Sequence, residues 1–243
     1  MRLRIAAGVR HSTGRLRTYD GSVRYPTELA DSATLLTSSI DLGPRGNEAV
    51  KMLTGHGLRT SVGLDLDTIK LLLAVTGEEH IVEYCPTDQR RFADVDACRA
   101  WVSKHRSFVA ITDATSSALL AYGWSGPDTN KHVPGADITT AYRVSRAGQA
   151  MTKHIRESGD TSFRLGIQLG ELVIATATNM YGGASDQVSL ETWASNSAAR
   201  HLYGLLGFEQ LDSAPNEPAT RPTLAPTRVV DDERCFYVLR NYS

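Results

Sequence analysis

The chain has 243 residues, room for one large domain or a domain with a substantial appendage. Its 26 Lys+Arg against 27 Asp+Glu leave a net charge of −1, which argues against bulk attraction to nucleic acid or an anionic membrane. No run reaches the roughly 18 apolar residues of a bilayer span, and the start has no secretory apolar region. Cys85, Cys98 and Cys235 form no C-x-x-C pair, so the expectation is a cytoplasmic protein with buried thiols, no disulfide framework and no metal.

The first 24 residues carry Arg2, Arg4, Arg10, Arg15, Arg17 and Arg24 against the single acid Asp20. An organelle transit peptide shares that composition. Alternation around the turn-like His11-Ser12-Thr13-Gly14 reads instead as a hairpin with a solvated arginine face, or a face that meets phosphate or nucleic acid. Thr34 to Leu42 reads as a strand, Gly43-Pro44-Arg45-Gly46 as a break, and Glu48 to Leu53 as a short helix. Residues 1–56 are thus expected to be a small β-rich appendage, with the main domain over 57–243.

In that domain Leu58 to Val62 is an expected strand, and Asp65 or Asp67 an N-cap for a helix through Ile69, Leu72 and Leu73. Val95, Cys98, Trp101 and Val102 recur at helical spacing within Asp94 to His105. Ser107 to Thr112 and Ala118 to Trp124 form a two-stranded unit across Asp113 to Ser117; Ser125 to Gly135 is a loop, and Ile138 to Val144 the next strand. Ser145 to Ser162 shows no clear period and is read as an inserted loop with room for a turn of helix.

The longest helical signal opens at Phe163 and runs through Leu165, Leu169, Val173, Ala177 and Met180 to Gly182-Gly183. Gln187 to Ala194 alternates as a strand, and Asn196 caps a helix through Ala199, Leu202 and Leu206 that Gly207 closes. Ala214 to Pro226 is an extended connector, and Cys235 to Leu239 an edge or partner strand.

The start of the long helix, with Arg164, Gly166, Ile167, Gln168 and Gly170, offers free amides where a pyrophosphate can sit. Glycine near a helix start also serves packing or turns, and Arg164 also reads as a solvated charge. Ser145-Arg146-Ala147-Gly148-Gln149-Ala150 is a competing phosphate loop. Further on, a strand leads into Asn196-Ser197-Ala198-Ala199-Arg200-His201-Leu202-Tyr203-Gly204-Leu205-Leu206-Gly207-Phe208. Here the sequence resembles the GNAT acyltransferases, whose corresponding segment has an Asn, paired small residues, a Tyr seven residues on and a closing Gly-Phe. The resemblance covers about residues 57–240. The family's phosphate loop reads Gln/Arg-x-x-Gly-x-Gly/Ala; Gly166 fits its first glycine, whereas Phe163 and Gln168 depart from it.

The resemblance implies an α/β fold with a mixed sheet, splayed between its fourth and fifth strands, with acetyl-CoA in the gap as acyl donor. It places backbone contacts at Tyr142 and Val144, phosphate contacts at Arg164, Gly166, Ile167, Gln168 and Gly170, and further coenzyme contacts at Asn196, Ala199 and Tyr203. The implied activity is N-acetyl transfer by direct attack of an amine of a small molecule or protein. An amine of pKa about 10.4 must lose a proton first. Glu191 is the candidate base, against a reading as an ordinary solvent-facing carboxylate. Tyr203 is the candidate acid for the leaving thiolate, against ordinary packing, and an amide near Val144 is the candidate oxyanion donor. The alternatives are a coenzyme-binding sensor with weak turnover and a scaffold acting through the N-terminal hairpin. A homodimer is compatible with either.

Overall fold

The computed structural model describes residues 8–10, 16–18, 34–35, 42–127, 133, 135–136, 138–181, 187–211, 218–222 and 229–240. The N-terminal hairpin forms, β1 (Gly8–Arg10) antiparallel to β2 (Leu16–Thr18). Of the expected strand from Thr34 to Leu42, β3 (Thr34–Leu35) is paired, and residues 36–41 lie outside the described residues. Helix α1 (Gly43–Gly55) is longer than its sequence signal. The expected break at Gly43-Pro44-Arg45-Gly46 is its first turn, because Pro44 sits at a position whose N–H no helical acceptor would meet.

The chain continues through β4 (Leu58–Val62), α2 (Leu66–Val75), α3 (Glu79–Tyr84), α4 (Thr87–Arg91) and α5 (Val95–Val102). Asp65 caps α2 by accepting from the Thr68 amide at 2.8 Å, and Asp94 caps α5 through Ala97 at 2.7 Å. The short helices α3 and α4 carry no sequence signal beyond Ile81, since most of their residues are polar and they bury few apolar side chains. Strands β5 (Ser107–Asp113), β6 (Leu119–Pro127) and β7 (Ile138–Val144) follow; β6 takes in the first three residues of the expected 125–135 loop.

The reading of Ser145 to Ser162 as a loop is corrected: α6 (Arg146–Glu157) occupies most of it. Its sequence shows no apolar stripe because Gly148 supplies one buried position and Ile155 the other, with mostly polar residues between. Helix α7 (Leu165–Tyr181), β8 (Gln187–Trp193), α8 (Ser197–Leu205), β9 (Glu209–Gln210), β10 (Pro218–Pro222) and β11 (Val229–Arg240) complete the order. Within the expected 214–226 connector, Pro218–Pro222 pairs with β11; Gly182-Gly183 and the rest of the connector lie outside the described residues.

One mixed sheet runs in the order β10-β11-β8-β7-β6-β5-β4-β3, with β9 beside β11. Every pairing is antiparallel except β7 with β8. On one face α1, α6, α7 and α8 cover a core of Leu53, Leu120, Leu169, Leu172, Val173 and Leu206. On the other, α2 to α5 bury Phe92, Trp101, Phe108 and Tyr122, whose rings meet mainly edge to face. Helix α1 shares the first core through Ala49, Val50 and Leu53, and Arg45 Nη2 reaches Glu171 Oε1 of α7 at 2.6 Å. The boundary after residue 56 therefore runs between α1 and β4, two elements of one hydrophobic core.

Candidate active site

The parallel pair β7–β8 is short. Ile138 faces Val188 and Thr139 faces Ser189; beyond them the strands part, although β7 continues to Val144 and β8 to Trp193. The register decides which backbone groups line this gap. The Ser145 amide donates to Leu120 O at 2.9 Å, so in the alternating antiparallel pattern Val144 and Tyr142 turn their N–H and C=O groups away from β6, into the gap. The Ala194 amide donates to Glu233 O of β11 at 2.8 Å, so Trp193 and Glu191 present theirs from the other side.

The floor of the gap is aromatic. Tyr203, buried on α8, lies 6.1 Å from Tyr142, 5.4 Å from Tyr237 and 6.1 Å from Phe208 by ring centroids. Burial pushes its phenol up to about 12, against the Arg143 charge and a hydrogen bond with Thr192, so it stays protonated. The helix that carries it is capped as expected, Asn196 Oδ1 accepting from the Ala199 amide at 3.2 Å; that bond occupies the Asn196 side chain with helix initiation. Gly207, at φ 89°, closes the helix in the left-handed region that favours glycine.

The roof is built from residues that sequence reasoning did not single out. Trp193 Nε1 donates to Tyr84 O at 3.2 Å, and His80 Nε2 lies 2.9 Å from Val144 O, so α3 and its exit span the gap. Arg143 turns to this side: Nε meets Asp88 Oδ2 at 2.9 Å, and Nη1 meets Tyr142 O at 2.8 Å. Asp88, fully buried, also accepts from Arg91 Nη1 and the Tyr122 hydroxyl, both at 3.0 Å. Burial pushes the neighbouring Cys85 thiol up to about 11, against the pull of Arg143, so it is a thiol rather than a nucleophilic thiolate near neutral pH. The signal that could have found this cluster is one charged residue, Arg143, in the strand 138–144. Glu191 lies on the roof face of β8, half exposed and 3.6 Å from Arg234.

At the far end of β7 the two competing helix starts separate. Ser145 Oγ accepts from the Gly148 amide at 3.1 Å, and Gly148 lies against the Leu120 carbonyl, so this start is capped and packed. At α7 the Ile167 and Gln168 amides bond to Arg164 O, whereas the Leu165 and Gly166 amides meet no acceptor among the described residues. A Cβ at Gly166 would come 3.2 Å from Leu202 and 3.8 Å from Val144, which places this open start beside the end of β7 and α8. Arg164 does not reach outward: its Nη1 donates to Thr161 O and Phe163 O. Gly170 lies one turn further in, where a Cβ would run into Leu206; its glycine serves helix packing. The Asp160 carboxylate accepts from Ser162 and faces His56 at 3.1 Å, bonds that hold it below the usual carboxylate range.

No family profile matches this sequence, and no curated protein matches it. Solved structures do. An N-acetyltransferase from Staphylococcus aureus Mu50 aligns with a TM-score of 0.50 at 14% identity, over 74% of this chain and 98% of that one. The chain has the GNAT fold. A GNAT-family acetyltransferase from the same organism aligns at 12% identity and TM-score 0.47 over the same shares. The ribosomal-protein-S5-alanine acetyltransferase from Vibrio fischeri aligns at 11% and 0.48, over 77% of this chain and 94% of that one. The β7–β8 gap is the splay that the GNAT fold implies. Among the described residues no group of three or more His, Cys, Asp or Glu could hold a metal ion, and no helix is long and apolar enough to cross a membrane.

Proposed function

We propose that the chain is an N-acyltransferase that moves an acetyl group from acetyl-CoA to an amine by direct attack. The observation that carries the reading is the conjunction at the gap: an α7 start that is open among the described residues, a Val144 amide beyond the last β7–β8 pair and the Tyr203 phenol, gathered where β7 and β8 part. The cosubstrate supplies an activated thioester. The Leu165 and Gly166 amides at the positive end of α7 suit its pyrophosphate. The Val144 N–H is a donor for the thioester oxygen as charge develops on it. Tyr203, protonated throughout the working range, is a proton source for the departing thiolate. Glu191 on the roof face of β8 is the base that takes the proton of the incoming amine.

A second reading has its own support. The Tyr142 and Val144 carbonyls, at the two residues where the resemblance implies backbone contact with coenzyme, are already met by Arg143 and His80, and Trp193 bridges to Tyr84. A binding module with little turnover would tolerate such a closed roof. Titration calorimetry and melting with acetyl-CoA, followed by thiol release over a panel of amines, separate the two. Binding should raise stability by about 2.7 kcal/mol at one hundred times Kd. No heat and no melting shift would sink both readings, while binding without thiol release would favour the second. Tyr203→Phe should then lower turnover on the order of 10²-fold or more with coenzyme affinity unchanged.

A further inference from the structure

At the Asp88 end of the roof two guanidiniums meet one carboxylate. Arg91 and Arg143 share the single buried carboxylate of Asp88, and the other groups of the cluster, Tyr122 and Cys85, are neutral near pH 7 because burial pushes both up. Burying an unbalanced charge is costly unless a partner meets it. Glu191, the acid of the adjoining strand, is half exposed and faces Arg234.

Arg143 itself is held by two of its three nitrogens, Nε on Asp88 and Nη1 on Tyr142 O. No hydrogen bond holds its Nη2 among the described residues, and the side chain as a whole is 13% exposed. A rigidly held guanidinium thus presents one donor nitrogen beside the gap. It does so on the α4 side of the sheet, opposite the face where Tyr142 meets Tyr203 of α8.

We propose that Arg143 is a specificity-determining residue for the acceptor, and that the acceptor amine carries a carboxylate which docks on Arg143 Nη2. The substrate class is an amino acid or a short amino carboxylate. This deepens the acyltransferase reading and rests on it. The docked carboxylate balances the extra charge of the Arg91–Asp88–Arg143 cluster, and the amine a few bonds away lies toward the gap. A lysine in place of Arg143 would not hold the same two bonds and still aim a third donor, because only the guanidinium has a planar fork.

The test uses the full chain with saturating acetyl-CoA and matched acceptors: ornithine with putrescine, phenylalanine with phenethylamine. The carboxylated member should have the higher kcat/KM by about tenfold to a hundredfold, the worth of a charge-assisted hydrogen bond, mostly through KM. Arg143→Gln should erase that preference. It leaves Asp88 its bonds to Arg91 and Tyr122, and circular dichroism and melting confirm the fold. Equal or better rates for the decarboxylated members overturn the proposal. If acetyl-CoA binds but no amine releases thiol, the acyltransferase reading fails by itself. Calorimetry of the same pairs on the coenzyme-loaded protein then decides the subsite: heat from ornithine or phenylalanine that Arg143→Gln removes supports it, and heat from neither overturns it.

Discussion

Two helices begin in close succession after β7, and their N-termini are built in opposite ways. At α6 the Ser145 hydroxyl takes the Gly148 amide, and the glycine exists so that the helix can press on the Leu120 carbonyl. At α7 no side chain among the described residues accepts from the Leu165 and Gly166 amides, and the residues ahead of them turn inward: Arg164 onto loop carbonyls, Asp160 onto Ser162 and His56. Both starts carry a glycine and an arginine in sequence. The difference teaches that a helix start is available to a phosphate only when its own neighbours leave the amides unbonded.

The sharpest way to break this comparison is Gly148→Val. The new side chain has only rigid backbone and Leu165 Cδ2, 2.9 Å from Cβ, to move against, so chemical denaturation should show a loss of about 3 kcal/mol or more. A variant as stable as the parent would mean that α6 does not press on β6. Next in size is Gly166→Asp, where the obstacle is the flexible end of Leu202, and the fold should survive. The added carboxylate opposes a bound phosphate, and acetyl-CoA affinity should fall at least about tenfold by calorimetry. Unchanged affinity would remove the phosphate from the α7 start.

Ser145→Ala sharpens the other half. Losing the cap should lower stability by about 1 kcal/mol and leave coenzyme affinity untouched. An affinity loss as large as that of Gly166→Asp would merge the two starts into one site. The smallest effect concerns Asp160, whose hydrogen bonds hold its carboxyl below the value of 3.8 for a free side chain. A depressed native pKa adds stability above the unfolded value, and that stability is lost as pH falls through the native value. Melting followed below about pH 4 should therefore show a flatter acid limb in Asp160→Asn than in the parent. An identical limb would mean that Asp160 does not anchor the α7 start.

Local signals carried the elements that chemistry marks on the chain itself. Asp65 and Asn196 cap the helices that their positions announce, Gly207 closes α8, and the alternation of 187–194 gives β8 its buried Val188, Leu190 and Thr192. The match from Asn196 to Phe208 pointed to the fold that the sheet then displays. What stayed hidden depends on partners distant in sequence. Helix α6 buries a glycine and an isoleucine, which no hydrophobic period reports, and α3 and α4 are too short and polar to announce themselves.

The sequence by itself thus determined the order of strands and helices around Tyr203, because capping, alternation and glycine closure act between residues a few positions apart. Only the tertiary structure decided which glycine opens a helix start, since Gly148, Gly166 and Gly170 differ in what stands opposite them: a carbonyl, a flexible leucine end, and a second helix. It also decided that Asp88, Arg91 and Arg143 form one charged roof and that α1 belongs to the core of α7. The Asp88–Arg143 and α1–α7 contacts join residues dozens of positions apart that meet only when the sheet is assembled, and no local pattern encodes which of them will meet.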